Sequence, residues 1–279
     1  MSSPPALARL LSHLLPGDGV AAAPAAHDGS ALKVSINSDK VQNGVVAARF
    51  GAQLIINAIA EKGSAHVILA TGASQFEMLQ ELVQCEGVDW TKVDCIHLDE
   101  YVGMDNTHGA SFAKYLQERF VDALPADNKP KSFTFVSGVG DPQVEVKRLH
   151  DIISSWPEID VSFIGIGENG HLAFNDPPCD LSVSDAYLVV DLDEACRAQQ
   201  MGEGWFPTMD DVPKQAISMS MQWILKPKHL VVTCPDERKS TAVKGAVEGP
   251  MGPACPGSYL RTHPSATLFI DTAAACQLS

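Results

Sequence analysis

The chain has 279 residues, 45% of them hydrophobic, and a formal net charge of −14. That charge argues against a nucleic-acid binder, which would show a basic patch or stripe, and leaves any anionic ligand to be held by local positive features. The length allows one large α/β domain or two small ones. No uninterrupted apolar run reaches the roughly 18–20 residues that read as a bilayer span, so no membrane partner is expected.

Seven cysteines stand singly at 85, 95, 179, 196, 234, 255 and 276. An odd count without CxxC pairs suits neither a disulfide framework nor a zinc site. Most read as small core residues of a reducing compartment, hence a cytoplasmic protein. Residues 1–33, rich in Ala, Pro and Ser, read as a loosely ordered N-terminal extension, and 34–279 as a single domain.

In chain order, residues 33–36 predict a strand. Val46, Phe50, Leu54 and Ala58 predict an amphipathic helix over 39–61, stopped at Gly63. Residues 66–70 predict a buried strand that runs into Thr71-Gly72-Ala73-Ser74 and a helix carrying Phe76, Leu79 and Leu82. A strand, a small-residue turn and a helix start can hold a single phosphate on free amides; a plain cap by Ser74 explains the same residues. Residues 93–98 predict a strand ending in Asp99-Glu100, a pair that is costly unless solvated, paired or used. One of the two is a general-base candidate.

A helix follows from Ser111, then a strand at 132–136 and a helix at 141–154. The apolar run at 161–166 leads into Gly167-Glu168-Asn169-Gly170-His171, where glycines let the backbone turn sharply and an imidazole, an amide and two carboxylates follow closely, Asp176 the last of them. Residues 186–190 predict a strand, 202–207 a lid or loop, 213–220 a lead into a helix toward Leu225, 229–234 a strand, 239–247 a helix and 266–270 the last strand. The alternation predicts an α/β protein, a doubly wound, mostly parallel sheet with helices on both faces.

Residues 69–74, 98–103 and 167–177, supported by 212–217, Lys239, 246–249 and 260–270, together resemble the glucosamine-6-phosphate deaminase/isomerase family over roughly residues 40–272. The resemblance implies a Rossmann-like domain that converts glucosamine 6-phosphate and water to fructose 6-phosphate and ammonia, with no metal or organic cofactor. It further implies that Thr71, Gly72, Ala73, Ser74 and Lys239 hold the phosphate, with Gly170 in the substrate loop. Asp99 would shuttle a proton between C2 and C1, and His171 would open the pyranose ring. The chemistry fits these types: the aldose–ketose shift needs a base beside a carbonyl, and ring opening needs a group that gives and takes a proton near neutrality.

The chain also departs from the family. Ala73-Ser74 replaces the usual Gly-Thr of the phosphate turn, Asn169 replaces the aspartate before the Gly-His, and Asp176 replaces a longer glutamate. The expectation is that Asp176, with Glu168, orients the imidazole in place of the missing carboxylate. Arg197 or Arg238 would stand in for the family's phosphate-gripping arginine. A 6-phosphogluconolactonase-like hydrolase is the related alternative, and a non-catalytic sugar-phosphate sensor the alternative of another class. A metal site built from His97, Asp99, His108 and His171 is disfavoured by spacing. The resemblance implies an amino-sugar phosphate as the substrate partner; a homo-oligomer is left open.

Overall fold

The computed structural model describes residues 31–279, so the extension read over 1–33 lies almost wholly outside the described residues. Seven strands form one parallel sheet in the order β1-β10-β9-β6-β2-β3-β5: β1 (Lys33–Asn37), β2 (Ala65–Leu69), β3 (Val93–His97), β5 (Ser132–Thr134), β6 (Val161–Ile164), β9 (His229–Thr233) and β10 (Ala266–Asp271). A three-stranded antiparallel sheet, β4 (Asp99–Tyr101), β8 (Gln215–Met219) and β7 (Tyr187–Asp191), is set beside it.

Alternate strand residues enter opposite cores, as the period of two requires. Ile68, Ile96, Ile164, Val232 and Leu268 face one core; Val67, Leu69, Cys95, Phe163, Val231 and Phe269 face the other. The second core is covered by α1 (Lys40–Lys62), α2 (Phe76–Leu82) and α3 (Phe112–Leu116). The first is covered by α4 (Pro142–Ser154), α6 (Met221–Ile224) and α7 (Ser240–Val247). Helices therefore lie on both faces, as predicted. Helix α1 is capped as its sequence requires: Asp39 Oδ1 accepts from Gln42 N at 2.9 Å, and Gly63 closes the other end at φ 82°. By length and composition alone α1 could cross a membrane, which reading uninterrupted apolar runs did not register; half of its most apolar stretch is buried against the fold.

Two expectations need correction. Residues 215–219 are a strand, and the helix after them is only Met221–Ile224. The strand near 186–190 belongs to the small antiparallel sheet, not to the main one. The helix α5 (Glu194–Gly202), between β7 and β8, was not predicted.

Chain order along the main sheet reverses between β2 and β6: β2, β3 and β5 run to one side, and β6, β9, β10 and β1 to the other. Such a reversal opens a crevice at the carboxyl ends of the strands.

Candidate active site

The crevice is lined by segments that leave β2, β3, β6 and β9 at those ends, together with α5. Beyond β2 the chain turns at Gly72, whose φ of 94° suits a residue without a Cβ, and enters a short 3-10 turn, Ala73–Gln75, before α2. Ser74 is not the helix cap: its Oγ accepts from Gln75 Nε2 at 3.0 Å, and no side chain caps either element. Gln75 is fully buried and also donates to Thr233 O at 3.3 Å, tying the turn to the end of β9. Tyr115 Oη donates to Gly72 O at 3.1 Å from the other side. A turn held at both flanks keeps its backbone amides directed at one place.

Lys239 faces the same crevice from the loop after β9. It is 6% exposed, and no carboxylate among the described residues lies within ion-pair distance of its ammonium. A cation so far removed from water without a counter-ion is a place for an anion. The loop that presents it is constrained: Asp236 takes φ 89°, its N–H donates to Asp271 Oδ1 at 3.1 Å, and its own Oδ1 accepts from Arg238 N at 3.1 Å.

The adjacent acids beyond β3 divide their roles. Glu100 is buried and spent on structure: Oε2 accepts from Ser111 Oγ at 2.7 Å and Ala113 N at 3.0 Å, and Oε1 from Tyr101 N at 3.0 Å. Asp99 is 7% exposed, lines the crevice and makes no side-chain hydrogen bond to the described residues. Burial, with the neighbouring Glu100 charge adding to it, pushes its carboxyl up to about 8. A carboxylate poised near neutrality, in a crevice and unpartnered, has the properties of a general base.

His171 comes from the glycine-rich turn after β6. Its ring packs on Gly167, where a Cβ would lie 2.2 Å from the imidazole, so this close approach requires glycine. Gly167 N–H donates to His171 O at 2.9 Å, and Gly170 O accepts from Gly257 N at 2.8 Å. His171 Nδ1 lies 3.1 Å from Asp176 Oδ1, although the ring is not aligned for a straight hydrogen bond. Asn169 supports both residues: Oδ1 accepts from His171 N at 3.1 Å, which turns Nδ2 toward Asp176 Oδ1 at 3.0 Å. Burial would raise the Asp176 carboxyl, but the His171 and Asn169 contacts outweigh it and hold the group below its ordinary value. Ala173, also lining the crevice, takes φ 51°, an uncommon conformation for a residue with a Cβ.

Of the residues singled out in the sequence, Thr71, Gly72, Ala73, Ser74, Asp99, His171 and Lys239 meet around one crevice of about 550 Å³, open solvent at its mouth included. Asn169, Gly170 and Asp176 stand behind His171. Glu168 does not reach the imidazole; its carboxylate lies 3.7 Å from Arg238 Nη1. Arg197 is no phosphate ligand, because its Nη2 donates to Met209 O and to Val212 O, the latter at 3.1 Å. Arg238 sits outside the crevice lining, paired with Asp236 as well as Glu168. His97 is fully buried, its Nε2 accepting from Val136 N at 2.8 Å, which removes it from any metal set with Asp99.

The structure adds residues that sequence reasoning missed. Gln199, Gln200 and Glu203, from α5 and its C-terminal end, close one side of the crevice. Gln199 Oε1 accepts from Glu168 N at 3.0 Å, and Gln200 Oε1 from Tyr101 Oη at 2.7 Å, so neighbouring amides seat α5 on the loops of His171 and Asp99. His171, Asp176 and Cys196 bring ligand-type atoms within 4.8 Å of one another. Burial pushes the Cys196 thiol far up, which keeps it protonated when no ion is bound.

Fold and crevice together define a Rossmann-like α/β protein in which a buried lysine, a raised carboxyl and a histidine beside a carboxylate come together at the carboxyl ends of the strands. The family model for glucosamine-6-phosphate isomerases/6-phosphogluconolactonases matches residues 39–269. A glucosamine-6-phosphate deaminase of Streptococcus equi subsp. zooepidemicus is 34% identical over 247 residues, 88% of this chain and 100% of the relative. One of Pediococcus pentosaceus is 33% identical over 250 residues, 89% of this chain and 99% of the relative. Among solved structures, a monomeric glucosamine-6-phosphate deaminase superposes with a TM-score of 0.79 at 31% identity, covering 88% of this chain and 99% of that one. A 6-phosphogluconolactonase of Shewanella baltica shares the fold, with a TM-score of 0.71 at 17% identity, covering 88% and 100%. The chain belongs to the glucosamine-6-phosphate isomerase/6-phosphogluconolactonase family.

Proposed function

We propose that the protein is a glucosamine-6-phosphate deaminase, an enzyme of amino-sugar metabolism that turns glucosamine 6-phosphate and water into fructose 6-phosphate and ammonia. The observation that carries the reading is Asp99: a buried, unpartnered carboxylate raised to about 8, in the same crevice as Lys239 and His171. Lactone hydrolysis does not require a carbon base, whereas the aldose–ketose shift does. The deaminase names of relatives at 33–34% identity over nearly their whole length support the same choice.

In this reading the phosphate sits against the amides of residues 71–74 and the Lys239 ammonium, and the binding energy of that remote group aligns the sugar. His171, steadied by Asp176, moves the ring-opening proton between O5 and O1. Asp99 then takes the C2 proton and returns it at C1, and the resulting C2 imine is hydrolysed to the ketone with release of ammonia. Leu98, Phe112 and Phe174 supply apolar walls that limit water around the carbon base. No step calls on a metal or an organic cofactor.

Residues 34–279 are taken as one domain, since the family match spans most of them. A cytoplasmic setting fits seven cysteines that are all unpaired thiols. A monomer is the assembly taken for the chain, because a relative at 31% identity is monomeric. Supplying glucosamine 6-phosphate and 6-phosphogluconolactone in parallel tests the reading. Fructose 6-phosphate from the first, with no acceleration of hydrolysis of the second, is the expected outcome; the reverse pattern would make the chain a lactonase.

A further inference from the structure

Glu203 has no part in the mechanism above, yet it is one of the residues that line the crevice. It is the C-cap residue of α5, where the helix dipole already concentrates negative character and a carboxylate is disfavoured unless a cation comes near. Among the described residues no lysine, arginine or histidine lies within ion-pair distance of it; Arg238, the nearby cation at the rim, is paired with Asp236 at 3.2 Å and Glu168 at 3.7 Å.

The carboxylate is nonetheless held in place by neutral donors. Oε1 accepts from Gln199 Nε2 at 2.8 Å and Oε2 from Trp205 Nε1 at 3.2 Å. Gln199 is itself oriented, because its Oε1 accepts from Glu168 N. The Trp205 ring is set against Phe76 and Tyr115, with centroids 6.2 Å from each. An ionised carboxylate offers about four acceptor sites, so two remain for a ligand. The crevice lining thus holds a cation, Lys239, and an anion, Glu203, neither of which makes a contact ion pair with a described residue, Asp236 and Arg238 acting on them only at longer range. That is the charge pattern of a ligand carrying both a phosphate and an ammonium group.

Resting on the deaminase reading, we propose that Glu203 recognises the ammonium group of the amino sugar and is the residue that selects amino-sugar phosphates over neutral or acidic ones. It favours a cation directly, and it repels a sugar acid that would otherwise be held by the same phosphate anchor.

Two open-chain analogues that cannot react separate the terms: 2-amino-2-deoxyglucitol 6-phosphate, with the ammonium, and glucitol 6-phosphate, without it. Their affinities are measured by calorimetry at pH 6.5 for the wild type and for Glu203→Gln. The wild type should prefer the amino compound by roughly tenfold or more, the size of one charged hydrogen bond. In Glu203→Gln the preference should fall to near unity while glucitol 6-phosphate binds as before, which also shows that the crevice is intact. Equal binding of the two analogues by the wild type, or a preference that survives in the variant, would overturn the assignment. So would loss of both analogues in Glu203→Gln, since that is the mark of a structural residue. Failure of both analogues to bind the wild type would instead overturn the sugar-phosphate reading itself.

Discussion

Asp176 stands against His171, its Oδ1 3.1 Å from the imidazole Nδ1, and the same oxygen receives the Asn169 amide at 3.0 Å. One carboxylate oxygen therefore faces both the imidazole and the Asn169 amide. If Asp176 holds the ring in its working orientation, Asp176→Asn should lower kcat by about 10²–10⁴ with KM changed little, since a neutral amide can hold the wrong tautomer and does not stabilise imidazolium. Steady-state kinetics on both proteins checks this; an unchanged kcat would remove Asp176 from the mechanism.

Asp99 gives a prediction with a definite sign. Its carboxyl is raised to about 8, so the basic form is the minority species at pH 7 and grows as pH rises. The kcat/KM profile should climb through an acid limb with a midpoint near 8. Asp99→Asn should abolish that limb along with most of the activity. A profile flat from pH 6 to 9 would contradict the assignment.

The same group makes a stability statement. A folded-state value above the unfolded one of about 3.9 means that the folded protein holds the proton longer, so its contribution to stability is full at low pH and is lost as pH rises between about 4 and about 8. Removing the ionisable group should therefore stabilise the fold, and increasingly so toward pH 8. Melting temperatures of Asp99→Asn should exceed wild type at pH 8 by more than at pH 5. A constant difference would show that Asp99 does not titrate as its burial dictates.

Much of the site was legible before the fold was known. The turn at 71–74, Asp99 and the loop to His171 all follow short apolar runs, and buried parallel strands are written as such runs. The strands β4 and β8 were not legible, for different reasons. Asp99-Glu100-Tyr101 is three residues long and opens on two acids that usually disfavour strands, and its pairing with Ser218, Ile217 and Ala216 is long-range. Residues 215–219 follow a Pro-Lys that looks like a helix start. Helix α5 buries only Cys196 and Gln200, so it has no apolar stripe to read. The capping signal was present, since Asp193 Oδ1 accepts from Cys196 N. Gln199 escaped because its place comes from a hydrogen bond to the Glu168 amide, which no local pattern records, and Glu203, held by Gln199 and Trp205, escaped with the helix that carries it.

Lys239 is expected to act through binding alone. Lys239→Met should weaken glucitol 6-phosphate binding roughly 10- to 100-fold, the loss of a charged hydrogen bond in a buried place. It should leave the melting temperature of the ligand-free protein no lower, because the ammonium has no carboxylate partner to lose. Calorimetry and thermal melts measure the two effects, and retained binding would remove Lys239 from the phosphate anchor.

Gly167 has a steric role. A Cβ there would stand 2.2 Å from the His171 ring, so Gly167→Ala must displace the imidazole. A fall in kcat of at least about tenfold is expected, while binding of glucitol 6-phosphate persists because the anchor lies on other loops. Full activity in the alanine variant would mean that the ring need not stay where it is.

The central claim is that Asp99 is the carbon base of a metal-independent deamination. It is tested most directly by measuring ammonia and fructose 6-phosphate released from glucosamine 6-phosphate in the presence of EDTA, by wild type and Asp99→Asn. Equimolar products from the wild type, undiminished by the chelator, and loss of both in the variant are the expected result. Ammonia release that stops with EDTA, or that continues in Asp99→Asn, would contradict it.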